Sequence, residues 1–446
     1  MGPLGYGLVG GRKWCWIAAQ LSVLAALIIV YAVAHHGSVV IDFKGGFYDS
    51  GRAILTDHNP YHAGFLAHQA QVMRSGGVAI GENNASAFSV SLYPAATILT
   101  LVPLSLLPFS VAAAIYTLLS VLALIAGLRL LGVRDNRCLM IAVGSWPFLF
   151  GVLLGAVGPW VVLGAGIAWR WRDRLWRPAV AIAGVVLLKL FPWPLAAWLL
   201  ITKRWRAFLA AAAIGLIAVI AGWALLGFEG MAQYPQMLAN ASYIQEGRTL
   251  SLVKILTAIG MSTDAATALA ILSALVVLGV SWQLARRPDG ERQAFALAML
   301  AALIGTPIVW THDLVLLLVP IALISPRLSP IWFLPLLSPV LVGLVESFVP
   351  GANQNAAYPA AVWLAIELIV GVVVYRSNPK PNLAASAKPD SVPHLDKPCV
   401  VAGPSPRSVV TDGLGSRARV DRKDVVIGDA HVSSHDRHLL GTGLRN

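Results

Sequence analysis

The chain has 446 residues, of which 57% are hydrophobic and only 12% charged, with a mean hydropathy of +0.72; soluble globular domains carry roughly a quarter charged residues, so that class is excluded. The formal net charge of +12 does not indicate nucleic acid, because Lys and Arg sit in short clusters between apolar runs instead of on a compact basic domain.

Apolar runs near the ~20 residues that cross a bilayer recur from Trp14 to Tyr375 without any period-2 strand pattern, so helices must satisfy the backbone. The fold class is all-α, a polytopic integral membrane protein. The first run, Trp14 to Ala34, follows Arg12 and Lys13 and ends in Ala32-Val33-Ala34. It is longer than the roughly 7 to 15 apolar residues of a signal peptide, and it reads as an uncleaved anchor after a cytoplasmic N-terminus of residues 1–13.

A charged segment, Ile41 to Ala53, comes next. Asp42 and Asp49 are seven residues apart, so on a helix they share a face, with Arg52 one turn beyond Asp49. Two acids and a base beside a membrane suit a site for a polar group presented by a lipid, since acids activate hydroxyls and cations hold phosphates. The same residues also suit an interfacial helix with solvated charges. Leu92 to Leu107 carries Pro94 and Pro103, with Pro108 following, and predicts a partial or oblique helix before the clean run Ser110 to Leu131.

Five basic clusters punctuate the remainder: Arg129, Arg134 and Arg137; Arg170 to Arg177; Lys203 to Arg206; Arg286 and Arg287; and Arg376 with Lys380. The positive-inside rule places all five in the cytoplasm with the N-terminus. Only about 25 residues separate Arg177 from Lys203, so that segment is expected to dip in and return, broken at Phe191-Pro192-Trp193-Pro194 with Lys189 at its apex. The outer side then holds a long first loop of about residues 36–91, the turn Gly155 to Pro159, the surroundings of Lys189, residues 227–263, the Thr311-His312-Asp313 corner, and Val349 to Tyr358.

Lys189 at membrane depth reads either as a cation for a phosphate or as a snorkelling lysine. His312 either donates to a phosphate oxygen or shuttles a proton, or it is incidental to Thr311 or Asp313 capping the next helix. Glu346 either joins the site or marks the interface. The loop Tyr234 to Ser251, with Tyr243, Gln245, Glu246 and Arg248, is a candidate cover for an acceptor. Counting runs gives 10 to 12 transmembrane helices within residues 14–376, followed by a disordered cytoplasmic tail, residues 377–446. Sequons at Asn84 and Asn240 fall in expected outer loops. Cys15, Cys138 and Cys399 have no metal or redox spacing. There is no P-loop, no dinucleotide fingerprint and no Asp-x-Asp pair, so an activated substrate is expected to arrive through the membrane.

The run Asp42-Phe43, Phe47-Tyr48, Ser50 to Leu55 and Asn59-Pro60-Tyr61 resembles the opening signature of glycosyltransferase family 87, polytopic enzymes of the GT-C fold. Leu92-Tyr93-Pro94 with Pro103-Leu104 and Leu107-Pro108, then Leu188-Lys189-Leu190-Phe191-Pro192, then Trp310-Thr311-His312-Asp313-Leu314, resemble later elements in the same order. Ala95 stands where that pattern has a second Pro, and Gly155-Ala156-Val157-Gly158 lacks the side-chain amides of the family's turn. The resemblance implies transfer of a hexose, mannose foremost, from a polyprenyl-phosphate donor to a glycolipid or glycan acceptor on the outer face, with inversion. It makes Asp42 the general base and Asp49, Arg52, Tyr61, Tyr93, Lys189, His312 and Asp313 substrate-binding positions, with Asp49 an alternative base or a partner orienting Arg52. No cofactor or metal ligand is implied, and a divalent metal requirement stays open. The Ala- and Arg-rich composition suggests a bacterial inner membrane. Competing readings are a transporter or flippase of a lipid-linked sugar, which needs polar groups on both faces, and a non-catalytic scaffold.

Overall fold

The computed structural model describes residues 40–61, 63–75, 91–245, 249–348 and 356–377. The run Trp14–Ala34, the sequon at Asn84, the residues Glu246 and Arg248, and the tail beyond Ser377 lie outside the described residues. Every regular element among the described residues is helical, with no strand. Five helices are long and apolar enough to cross a membrane: Phe109–Leu130, Trp205–Leu225, Thr263–Ala285, Pro330–Phe348 and Ala357–Arg376. Asn136–Gly144 and Trp146–Leu154 make a sixth if the pair, bent by 55° at Ser145, counts as one span. The expected 10 to 12 are not reached among these residues. Ala95–Ser105, Trp176–Leu188 and Pro194–Ile201 are short, as expected of a partial helix and two half-spans, and Glu291–Ile304, within a run read as a span, is short as well.

Four of the five spanning helices bury a third or less of their apolar stretch, whereas Phe109–Leu130 buries 50%. Trp205–Leu225 leaves Leu216, Ile217 and Leu225 more than 60% exposed, an apolar outer surface that suits lipid and not water. Helices meet where small residues permit it. Gly127 on Phe109–Leu130 and Gly166 on Gly158–Arg170 lie backbone to backbone, and a Cβ on Gly166 would stand 2.6 Å from the Gly127 carbonyl oxygen, the close approach that packs helices in lipid.

The basic clusters collect at one end. Glu291 pairs with both Arg172 (3.4 Å) and Arg204, and Arg204 also pairs with Asp173 at 2.8 Å. Arg287 lies over the Tyr375 ring, and the Gln293 amide donates to the Val374 carbonyl at 3.0 Å. Arg172 precedes Trp176–Leu188 and Arg204 follows Pro194–Ile201, so the chain between them leaves this end and comes back to it, as the spacing of the two clusters predicts. Thirteen helical residues carry Trp176–Leu188 about 20 Å from the arginine-rich end, short of a ~30 Å hydrocarbon core. A second return is built the same way. Glu291–Ile304 rises from the same end, and a 3-10 turn, Thr311–Leu317, continues into Leu318–Ile324 and descends again, where Asp135 receives the Leu328 N–H at 3.3 Å.

Candidate functional site

The tips of these two returning hairpins meet. Trp176–Leu188 ends at Lys189, whose backbone turns extended (φ −146°, ψ 129°), while the Thr97 hydroxyl takes the Leu187 carbonyl at 2.7 Å and closes the helix end. The Lys189 ammonium pairs with Asp313 on the other tip. Asp313 is 1% exposed and divides its two oxygens: Oδ1 receives Lys189 and Oδ2 receives the Trp310 N–H at 3.1 Å. It therefore caps its own helical turn, the role offered for it in the sequence, and also fixes Lys189, a pairing the sequence does not announce. The approach to this turn is held by Thr249 to Ser251: the Leu250 N–H donates to the Val309 carbonyl at 2.7 Å, and the Ser251 hydroxyl to the Pro307 carbonyl at 2.8 Å.

His312, 5% exposed, aims Nε2 between two carboxylates, 3.9 Å from Asp42 Oδ2 and 3.7 Å from Asp313 Oδ1. Both distances are electrostatic contacts and too long for hydrogen bonds. The two acids favour the proton on Nε2. Nδ1 is buried with no hydrogen-bond partner among the described residues.

Asp42 arrives from a different direction. It lies on the short helix Ile41–Phe43, which continues as a π-helix, Lys44–Asp49, and then as Ser50–Leu55. Such wide turns free carbonyls and recur at functional sites. Here three buried serines occupy those carbonyls: Ser50 Oγ donates to Gly45 at 2.7 Å, Ser91 Oγ to Gly46 at 3.1 Å, and Ser105 Oγ to Tyr48 at 3.0 Å. Phe43 stacks on Tyr116 with centroids 4.4 Å apart, and Phe47 on Tyr93 at 4.2 Å. Ahead of Asp42, Val40 is wholly buried in a left-handed conformation (φ 69°), rare for a β-branched residue, and its N–H donates to the Leu153 carbonyl at 2.7 Å. The turn after Leu154 reaches the same backbone. Gly155 (φ 73°) leaves so little room that a Cβ would stand 2.3 Å from Val40 and 2.6 Å from the Phe43 Cβ. This turn meets the Asp42 backbone through glycine and needs no side-chain amide.

The Asp42 side chain is 34% exposed, whereas His312 and Asp313 are closed off. Crowding by surrounding atoms still pushes the Asp42 pKa above the usual carboxylate range; His312 and Lys189 pull it down, and Asp313 adds to the rise. A carboxyl that is hemmed in but reachable is poised to take a proton from an incoming group.

The remaining candidates separate. In a regular α-helix residues seven apart return to within about 20° of one face, but the π turn breaks that register. Asp49 is exposed, with Lys44 and Arg52 as its charged neighbours, and shares no contact with the Asp42 cluster. Arg52 is also exposed, its Nη1 3.5 Å from the Tyr48 hydroxyl. Tyr61 is buried against Trp223 at 4.8 Å and donates its hydroxyl to the Tyr93 carbonyl at 2.9 Å, so it braces Tyr93. Tyr93 is close enough to the cluster that, after burial, the Asp42 charge is the largest cause holding its hydroxyl far above the ordinary range. Glu346 is exposed. The candidate cover from Tyr234 is a helix, Tyr234–Gln245, whose Tyr243 ring carries Arg74 at 5.0 Å. Asn240 is 4% exposed and accepts from Arg74 and Gln236, which leaves its sequon no surface on which to receive a glycan. Tyr116 and Gly155 are the site's neighbours that sequence reading did not single out for this role. Among the described residues no group of three or more His, Cys, Asp or Glu could hold a metal ion.

Residues 92–311, about half of the chain, match the family model of glycosyltransferase family 87. The matched stretch contains Tyr93 and Lys189 and stops one residue before His312; Asp42 and Asp313 also lie outside it, joined to it by the geometry above. No curated protein and no solved structure matches the chain.

Proposed function

We propose a donor and a mechanism for a chain that belongs to glycosyltransferase family 87 and is a glycosyltransferase: it moves a hexose, with mannose the first candidate, from a polyprenyl phosphate to a glycolipid or glycan acceptor on the outer face of a bacterial inner membrane. The observation that carries this reading is the convergence of Asp42, Lys189, His312 and Asp313, from three distant segments, where two hairpin tips meet about 20 Å from the arginine clusters. By the positive-inside rule the arginine clusters are cytoplasmic, and the tips point away from them towards the outer side.

In this mechanism Asp42 accepts the proton of the acceptor hydroxyl as its oxygen bonds to the sugar C1. The bond from C1 to the phosphate oxygen breaks on the far side, and the lipid phosphate leaves with the electron pair. Attack from behind inverts the anomeric centre, and no covalent enzyme intermediate is required. Charge develops on the departing phosphate, where fixed donors in a water-poor site act most strongly. Lys189 commits one of its three N–H donors to Asp313 and retains two for phosphate oxygens. His312 contributes through Nε2, while Arg52, exposed beside Tyr48 and away from the cluster, takes no part in this mechanism.

The test compares wild type with Asp42→Asn in proteoliposomes supplied with labelled polyprenyl-phosphate mannose and host lipid extract. Label enters new glycolipid with wild type and not with the variant, although both insert equally. Full transfer by Asp42→Asn would remove Asp42 from the chemistry, and label that crosses the bilayer without product would favour a flippase.

A further inference from the structure

We infer that the arginine-rich end of the bundle is a docking surface for the headgroups of anionic phospholipids. Residues 170–177, 203–206, 286–292 and 376 contribute eleven basic side chains against three acids, Asp173, Asp289 and Glu291. Arg172 and Arg204 take up Glu291 and Asp173 in ion pairs that tie the helix ends together. That leaves a large excess of cation without a carboxylate partner among the described residues.

How four of those cations are held suggests their occupant. Arg177 lies over Trp171 at 4.8 Å, Arg206 over Trp205 at 5.5 Å, Arg286 over Trp282 at 3.6 Å, and Arg287 over Tyr375 at 5.8 Å. All four arginines are exposed, as are Trp205, Trp282 and Tyr375, at 45–55%. Each set stands at the end of a different helix, next to Trp176–Leu188, Trp205–Leu225, Thr263–Ala285 and Ala357–Arg376, and the Arg172, Arg204 and Glu291 pairs with the Arg287–Tyr375 contact gather these ends together. Indole and phenol rings at the ends of spanning helices settle among lipid headgroups. A guanidinium that packs over a ring face needs no carboxylate there, and its N–H donors suit a phosphate, which arginine takes in paired hydrogen bonds.

Neither helix stability nor orientation accounts for this arrangement. Arg177 and Arg206 sit in the first turn of their helices, where the helix dipole disfavours a cation. Orienting the chain requires basic residues on one side and not a ring beneath each of them. The surface lies about 20 Å from the Lys189 tip and shares no residue with the Asp42 cluster, so the inference does not depend on the catalytic reading.

The test places the full chain in nanodiscs of equimolar phosphatidylglycerol and phosphatidylcholine and reads the lipids it retains by native mass spectrometry. Wild type should retain phosphatidylglycerol in excess. The combined variant Arg177→Gln, Arg206→Gln, Arg286→Gln and Arg287→Gln should lose at least about tenfold of that excess, since each arginine near an anionic surface contributes about fivefold. Lys254→Gln, at the other end, should keep it. An unchanged melting temperature and monodisperse elution show that the combined variant is folded. Equal retention of both lipids by wild type, or undiminished preference in a folded combined variant, would overturn the inference. So would a preference that appears only after removal of residues 382–446, which would make the tail the occupant.

Discussion

Replacing Gly155 by alanine probes how tightly the chemistry depends on the backbone around Asp42. The added Cβ would lie 2.3 Å from Val40 Cγ1 and 2.6 Å from Phe43 Cβ. Carbon atoms rest at about 3.6 Å, so Val40, two residues before Asp42, has to retreat by about 1.3 Å, the difference between those two distances. The left-handed backbone at Gly155 costs an alanine about 1–2 kcal/mol and overpacking adds about 1–3, together about 2–5 kcal/mol of stability if nothing yields. If the segment yields instead, Asp42 moves by about 1 Å, and a displacement of that size costs on the order of 100-fold in rate. Transfer from labelled polyprenyl-phosphate mannose in proteoliposomes, with kcat and donor KM measured separately beside thermal unfolding in detergent, distinguishes these outcomes. The expected result is kcat lower by about 100-fold with donor KM within about threefold, because the added methyl meets Val40 and Phe43 and not Lys189 or His312, the donor-binding residues of the proposed mechanism. A Gly155→Ala enzyme with wild-type kcat and wild-type melting would refute the reasoning, since Val40 and Phe43 would then have given way without carrying Asp42 with them.

In the proposed mechanism Asp42 must be ionised to accept a proton, so transfer should rise with pH through its pKa, which burial holds above the usual range and His312 lowers. His312→Ala should therefore move the acid limb of the kcat/KM profile to higher pH as well as reduce the plateau, and a limb that stays in place or moves down would separate the two residues. Lys189→Met strands the Asp313 charge, whose side chain is 2% exposed, at a cost of about 3–5 kcal/mol. Converting both partners, Lys189→Met with Asp313→Leu, should restore most of the melting temperature and none of the transfer. If the double variant is as unstable as the single one, the pair does not hold the two tips together.

What the sequence reveals here follows from which interactions are local. Phe109–Leu130 and Pro330–Phe348 are legible because an apolar run with charged flanks specifies a span almost without tertiary help. The return at Lys189 is legible for a related reason: two basic clusters 25 residues apart and a Pro-Trp-Pro break leave few other paths. The described residues show five or six spans, fewer than the 10 to 12 expected, and one reason is that hydropathy registers Glu291–Ile304 as apolar without showing that it stops short and folds back. The shared face expected for Asp42 and Asp49 fails on a non-local cause. The π register is held by Ser91, Ser105 and Tyr93, residues about 45 to 60 positions away in sequence, and no pattern within Ile41 to Ala53 announces it. Lys189 and Asp313 are each conspicuous as ionisable residues among apolar ones, yet their pairing spans 124 positions. Tyr61 illustrates the opposite case: a residue carried into the site by motif resemblance is a brace behind Tyr93.

The two hairpins that present Lys189 and Asp313 leave and re-enter the same end of the bundle. Each adds an even contribution to the parity of the chain's passage through the bilayer, so neither affects which side any later loop faces. The length of a hairpin, the position of its break and the residues at its tip can all change without inverting the segments that flank it. Charge placement in the loops settles orientation, and the tips remain at liberty to vary with the group they hold.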